Sequence, residues 1–163
     1  TMAQILILLG GNMGNVKNTF HQAITLLSQK LNSPVRSSSI YVSEAWGFES
    51  KDRFFNQVLE FGSSLQPHAI LSVIQNVEKE LGRVRSQCST YQSRPIDIDI
   101  LFIDEMQLSD PVLTIPHPLL HLRRFTLKPL MEHWADKLHP VLNQSVLKLY
   151  EQCPDHSMVE KDE

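Results

Sequence analysis

Gln4 to Leu9 is a short, nearly continuous apolar run, and it predicts a buried strand. Gly10-Gly11-Asn12-Met13-Gly14-Asn15 breaks that run, and a tight strand-to-helix turn is the simplest account of its glycines. From Val16 the period becomes helical: Val16, Phe20, Ala23, Ile24, Leu27 and Leu31 fall on one face. Val35 to Val42, rich in Ser, Ile, Tyr and Val, predicts a second strand, and Phe54 to Phe61 a third after a loop over Ser43 to Arg53. Pro67 suits a first helical turn, where its missing N–H would be unpaired anyway. Ile70, Leu71, Ile74, Val77 and Leu81 then repeat at helical spacing, with Gly82 placed to cap the C-terminus. Ile96 to Ile103 predicts a fourth strand, Leu119 to Trp134 a third helix and Gln144 to Cys153 a fourth. The tail from Pro154 to Glu163 is polar and is expected to fray.

The order strand, helix, strand, strand, helix, strand is the ferredoxin-like βαββαβ arrangement of an α+β fold. It predicts an antiparallel sheet with two helices on one face. The other face is left for a ligand or for the C-terminal segment.

The last strand carries the sharpest chemical signal. Alternate strand residues share a face, so Asp97 and Asp99 point the same way, with alpha carbons roughly 6–7 Å apart. Ile96, Ile98, Ile100 and Phe102 are expected on the opposite, core face, and Leu101 and Ile103 on the carboxylate face. Two carboxylates at that separation repel by roughly 2–3 kcal/mol at an effective dielectric near 20. A divalent cation removes the penalty, and hard oxygen ligands suit magnesium. The plain alternative is a solvated edge strand that carries two acids. Arg83, Arg85 and Arg94 stand just upstream, and Arg123 and Arg124 follow. Guanidinium groups hold phosphate oxygens bidentately, so carboxylates and arginines together supply the parts for stabilising a transferring phosphoryl group.

Other features are weaker alone. The glycine cluster is neither a Walker loop nor a Rossmann turn. Phe54 and Asn56 share a strand face, pairing a stacking ring with an amide that has one acceptor and two donors. Glu78 lies beside the apolar stripe of its helix, where an acid asks for a partner, with Gln75 nearby. His117 lies between Pro116 and Pro118, which restrict its backbone.

Composition narrows the class. The 163 residues are the size of one domain, residues 1–163, and 42% hydrophobic content is enough for a core. No run is long enough to span a bilayer, and no basic segment leads into an apolar N-terminal stretch, so no membrane association and no secretory signal are expected. A net charge of −3 without a basic block argues against a nucleic-acid binder. Cys88 and Cys153 have no metal-ligand spacing and read as free thiols of a cytoplasmic protein.

Leu9-Gly10-Gly11-Asn12-Met13-Gly14, Phe54-Phe55-Asn56, Gly82-Arg83-Val84-Arg85, Arg94-Pro95-Ile96-Asp97-Ile98-Asp99-Ile100, Ile115-Pro116-His117 and Arg123-Arg124-Phe125 come in an order that resembles the 6-hydroxymethyl-7,8-dihydropterin pyrophosphokinases of folate biosynthesis. The resemblance runs from Gln4 to about Tyr150. It implies a ferredoxin-like core and transfer of pyrophosphate from ATP to the pterin hydroxymethyl group, with release of AMP. It implies that Asp97 and Asp99 bind two magnesium ions and that Arg83 and Arg94 grip the phosphates. Arg85, Arg123 and His117 become further nucleotide contacts, and Gln75, Glu78, Ile100 and Thr114 positions around the nucleoside. Asn56 becomes the pterin-reading amide between the rings of Phe54 and Phe125, with backbone contacts around Ser43 and Trp46. The expected partners are ATP and the pterin, and the expected state is a monomer. The chain departs from the family at Ser43-Glu44-Ala45-Trp46, often Thr-Pro-Pro-Leu, and at Phe54, often Tyr. It departs again at Thr90-Tyr91-Gln92-Ser93, where many members carry a basic residue and then Trp-Gly-Pro. Tyr91 is the expected substitute for that tryptophan, on a loop from Arg85 to Arg94 expected to close over the ligands.

A palm-like nucleotidyl transferase also places paired aspartates on such a sheet, but it wants a basic template groove. A non-catalytic sensing module on the same fold leaves the aspartates and arginines unexplained.

Overall fold

A computed structural model describes residues 2–12, 14–44, 53–82 and 96–162. The strands are β1 (Ala3–Gly11), β2 (Arg36–Ser37), β3 (Tyr41–Glu44), β4 (Arg53–Ser63), β5 (Asp97–Ile103), β6 (Leu108–Ser109), β7 (Thr114–Ile115) and β8 (Val159–Lys161). The helices are α1 (Val16–Leu31), α2 (Pro67–Glu80), α3 (Arg124–Trp134) and α4 (Val146–Gln152), with one 3₁₀ turn at Leu120–Leu122.

The main sheet runs β5-β1-β4-β3-β8, with β2 alongside β4 and every pairing antiparallel. Its first four strands are the ferredoxin-like order expected from the sequence. β1 lies at the centre, which explains its unbroken apolar run: Ile5, Ile7 and Leu9 face α1 and α2, while Leu6 and Leu8 face α3 and α4. Each face therefore has its own core. Phe20, Leu27, Ile70 and Ile74 close the first, and Leu127, Leu130, Trp134 and Leu149 close the second. The face left open by the βαββαβ pattern is covered by the C-terminal helices.

Local chemistry sets the element ends. The Asn15 side chain accepts the N–H of Asn18 and caps α1, which stops at Asn32 in the left-handed region. Gly82, at φ 105°, ends α2 as expected and donates its N–H to Lys79.

Four expectations need correction. The second strand is broken into β2 and β3, because the Ser38 hydroxyl takes the N–H of Val58 and Ser39 turns its N–H to Glu132 on α3. The third helix is not continuous from Leu119: Arg123 is extended and separates the 3₁₀ turn from α3. The tail does not fray. It forms β8, in which Val159 to Lys161 pair with Ser43 to Tyr41. Finally, β5 changes phase. Ile7 pairs with Ile100 and Leu6 with Phe102, so Leu101 is an extra residue on its strand, a bulge. Phe102 thus joins the α3 side and Ile103 the α1 side, opposite to strict alternation.

Candidate active site

β5 is an edge strand whose pairing with β1 places Asp97 opposite Gly10 and Asp99 opposite Leu8. The two carboxylates share the α3 face, and both line a cavity of about 600 Å³ at the end of the sheet. The bulge at Leu101 follows directly. Its carbonyl accepts the backbone N–H of His117, tying the segment Ile115–Pro116–His117, which contains a cis peptide, to the aspartate strand.

On the opposite edge of β5, the buried carboxylate of Glu78 accepts the N–H of Ile98 at 3.0 Å. The acid singled out on α2 thus has a structural partner, and helix and strand are pinned together one residue from each aspartate.

The second wall comes from β4 and β3. Asn56 pairs with Gly10 across the β1–β4 ladder, and its amide nitrogen donates to the Leu9 carbonyl at 3.3 Å. A Cβ on Gly10 would stand 3.1 Å from that nitrogen. Gly10 and Gly11 therefore belong to the strand, not to a tight turn, and Gly10 makes room for the amide. Within the described part of that cluster, Gly14 has positive φ. Phe54, 37% exposed, and Ser43 stand beside Asn56, and Phe125, on the first turn of α3, completes the apolar side. The Arg123 guanidinium lies 5.5 Å from the centre of the Phe125 ring.

Burial raises the pKa of Asp99, opposed by His117 and reinforced by Asp97. Burial lowers that of His117, with Asp99 opposing and Arg123 adding to it. Asp97, Asp99, His117 and Arg123 thus form one electrostatic unit in which charge on Asp99 is costly without a cation. His117 Nδ1 accepts the N–H of Leu119 at 3.1 Å, so its neutral ring carries the proton on Nε2.

Asp97, Asp99, Arg123, Ser43, Phe54, Asn56 and Phe125 all line the cavity. Gln75, Glu78, Ile100, Thr114 and His117 are not on its wall; Ile100 lies within β5, and the others stand on α2, on β7 and in the loop after it. Arg124 turns away to lie 4.8 Å from the Tyr150 ring centre, so of the neighbouring pair only Arg123 serves the cavity. Trp46, Arg83, Arg85, Tyr91 and Arg94, and the loop expected to close over the ligands, lie outside the described residues, as does Cys88. Sequence reasoning missed Gly10, Gly11 and Asn12 as lining residues, together with Glu44, Leu119 and Leu122. It also missed Asp155 and Ser157, which lay in the tail taken to fray. A glycine at a strand end signals a close approach, but the β1–β4 register that makes Asn56 its partner is not readable from the sequence.

Fold and cavity together define the class: a ferredoxin-like α+β protein whose sheet end joins paired carboxylates to an aromatic, amide-bearing slot. Residues 6–135 match the family model described as 7,8-dihydro-6-hydroxymethylpterin-pyrophosphokinase, and the chain belongs to that family. It is 38% identical over 141 residues to a 2-amino-4-hydroxy-6-hydroxymethyldihydropteridine pyrophosphokinase of Porphyromonas gingivalis, covering 85% of this chain and 95% of that one. It is 37% identical over 140 residues to the Aquifex aeolicus protein of the same name, covering 86% of each. The folic acid synthesis protein fol1 of Pneumocystis carinii is 35% identical over 154 residues, but the chain spans only 20% of its length. Wild-type HPPK-DHPS of Plasmodium falciparum has the same fold, at a TM-score of 0.72 and 17% identity, over 93% of this chain and 41% of that one. Among the described residues, no helix is long and apolar enough to cross a membrane.

Proposed function

We infer that the chain transfers pyrophosphate from ATP to the hydroxymethyl group of 6-hydroxymethyl-7,8-dihydropterin in folate synthesis and releases AMP. Family membership supplies the reaction. One observation carries its placement: a single cavity holds both halves of the chemistry, carboxylates and a guanidinium against two rings and a buried amide.

Asp97 and Asp99 fit a magnesium site. They share one face, and the environment of Asp99 disfavours an uncompensated charge. Among the described residues no group of three or more His, Cys, Asp or Glu could hold a metal. A two-carboxylate site suits magnesium, which takes its remaining ligands from water and phosphate. When bound, the metal supplies charge neutralisation at the phosphates and the leaving group.

The remaining roles belong to the chain. Phe54 and Phe125 bracket the flat heterocycle. Asn56, its amide plane fixed by Leu9, reads the heterocycle's polar edge. Arg123 holds phosphate oxygens, and neutral His117 keeps an Nε2–H donor for the nucleotide. On the outer edge of β5, Ile98 directs its N–H to Glu78, and the two-residue period puts Ile100 on the same side, where a nucleobase has backbone groups to meet. Arg83 and Arg94 are proposed to complete the phosphate grip, with Arg85, Gln75, Glu78 and Thr114 around the nucleoside and Trp46 and Tyr91 at the pterin. The protein is proposed to act as a monomer in the cytoplasm.

Product analysis tests the reading. Incubation with magnesium, ATP and the pterin should yield AMP in step with pterin consumed. ADP as the product, or AMP release indifferent to the pterin, overturns it.

A further inference from the structure

Asp155 is buried, lines the cavity, and uses both carboxylate oxygens on backbone donors. Oδ2 accepts the N–H of Arg124 at 3.0 Å, and Oδ1 accepts the N–H of Ser157 at 2.9 Å. Arg124 is the first residue of α3, and its N–H is one of the donors that a helix leaves without an internal partner. It also lies between the two residues that α3 brings to the cavity, Arg123 and Phe125. Fixing the Arg124 N–H fixes the chain on both sides of it.

This turn of α3 needs an outside hold. Arg123 has no side-chain cap of its own, and Pro129 sits inside the helix. Proline has no N–H for the carbonyl four residues back, which here is that of Phe125. The helix's own ladder is thus weakest at the residue whose ring faces the cavity.

The same segment reaches the opposite wall. Four residues after Asp155, Val159 pairs with Ser43 on β3, and Cys153 is buried in the core beneath α3 and α4. The tail therefore bridges the α3 wall, with Arg123 and Phe125, and the β3 wall, with Ser43 and Glu44.

We propose that the C-terminal segment is a structural wall of the substrate cavity, and that Asp155 is a positioning residue that sets where Arg123 and Phe125 stand. This deepens the functional reading above and rests on it. Asp155 acts through the backbone of Arg124. Its loss loosens the α3 wall, so the pterin should suffer before turnover at saturation does.

Steady-state kinetics with ATP and the pterin, at a temperature where every variant is folded, test this. Asp155→Ala should raise the KM for the pterin by about fivefold to tenfold, the factor expected from losing a helix cap, with kcat changed less. Asp155→Asn keeps one acceptor oxygen and should recover much of the loss, leaving a rise of about twofold to threefold. Asp162→Asn removes the carboxylate charge that lies 2.8 Å from Lys17 at the end of the same tail, away from the cavity, and should leave both constants unchanged.

Wild-type KM in Asp155→Asn overturns the proposal, even if Asp155→Ala does not fold. So does an equal KM rise in Asp162→Asn, which would mean that any loosening of the tail suffices. Failure of the wild-type chain to release AMP with both substrates overturns the functional reading and this proposal together. An active wild type matched by its Asp155 variants overturns only the positioning role.

Discussion

Asp97 and Asp99 differ in burial although they are two residues apart: Asp97 is exposed, and Asp99 is partly covered. The repulsion between them and the desolvation of Asp99 are useful only when a cation is present. Asp97→Ala and Asp99→Ala should therefore nearly abolish magnesium-dependent turnover. In metal-free buffer either variant should be at least as resistant to urea as the wild type. Near-normal turnover in either would remove it from the metal site. Asn56→Ala should weaken pterin binding far more than ATP binding, by about 1–3 kcal/mol, because an amide that reads a buried polar edge leaves that edge unpaired when removed. Gly10→Ala should do the same more mildly. Its Cβ would press on the Asn56 nitrogen from 3.1 Å and turn the amide without deleting it. Calorimetry with each ligand separately checks both variants, and equal losses for pterin and ATP would take Asn56 out of the pterin slot. The aspartates, Phe54 and Asn56 were legible because alternation along one strand assigns faces. The task of Gly10 was not, because it depends on the β1–β4 register, which no single strand reveals.

Strand β5 shows where element-level reading succeeds and stops. Alternation holds from Ile96 to Ile100 and then fails, since a bulge at Leu101 is invisible in a run of Ile, Leu and Phe that suits either face. The bulge turns the Leu101 carbonyl to the N–H of His117, so the irregularity holds the histidine loop in place. The strand's outer edge needs its own partner, and Glu78 provides it at Ile98. Glu78→Ala should lower the free energy of unfolding by about 1–3 kcal/mol, the range for a buried N–H left unsatisfied. Glu78→Gln, with an amide oxygen still able to accept, should lose less than half of that. Urea unfolding without ligands reads this directly, and an unchanged midpoint in Glu78→Ala would show that the edge is satisfied otherwise. The order of the core elements and the α2 stop at Gly82 were readable from period and caps. The break at Arg123 was not, because helical spacing continues on both sides of it.

For the whole molecule, the βαββαβ pattern announced one covered face, and the C-terminal third supplies the cover for the other. The role of the tail was hidden because a three-residue edge strand has too few side chains to show a period. The covering layer also carries a pH dependence of its own. His139 is buried against Phe102, with ring centres 5.7 Å apart, and its Nδ1 accepts the N–H groups of Val141 at 3.2 Å and Leu142 at 3.0 Å. A proton on Nδ1 would face two donors, with the His121 ring 6.3 Å away. Burial, and secondarily His121, lower the pKa of His139 from the ordinary 6.5. The unfolded chain therefore binds this proton more readily than the folded one. The stabilisation is complete above about pH 6.5 and is lost as pH falls from there toward the depressed folded value. His139→Asn is the informative variant, because the Asn side-chain oxygen can replace Nδ1 as the acceptor and does not titrate. Urea unfolding at pH 7.5 and 5.5 should show a larger loss of stability in the wild type than in His139→Asn. His117, whose pKa is lowered in the same direction, remains in both proteins and cancels in the comparison. Equal losses in the two proteins would mean that the 139–142 turn does not sense pH, and that any acid sensitivity of the fold comes from elsewhere.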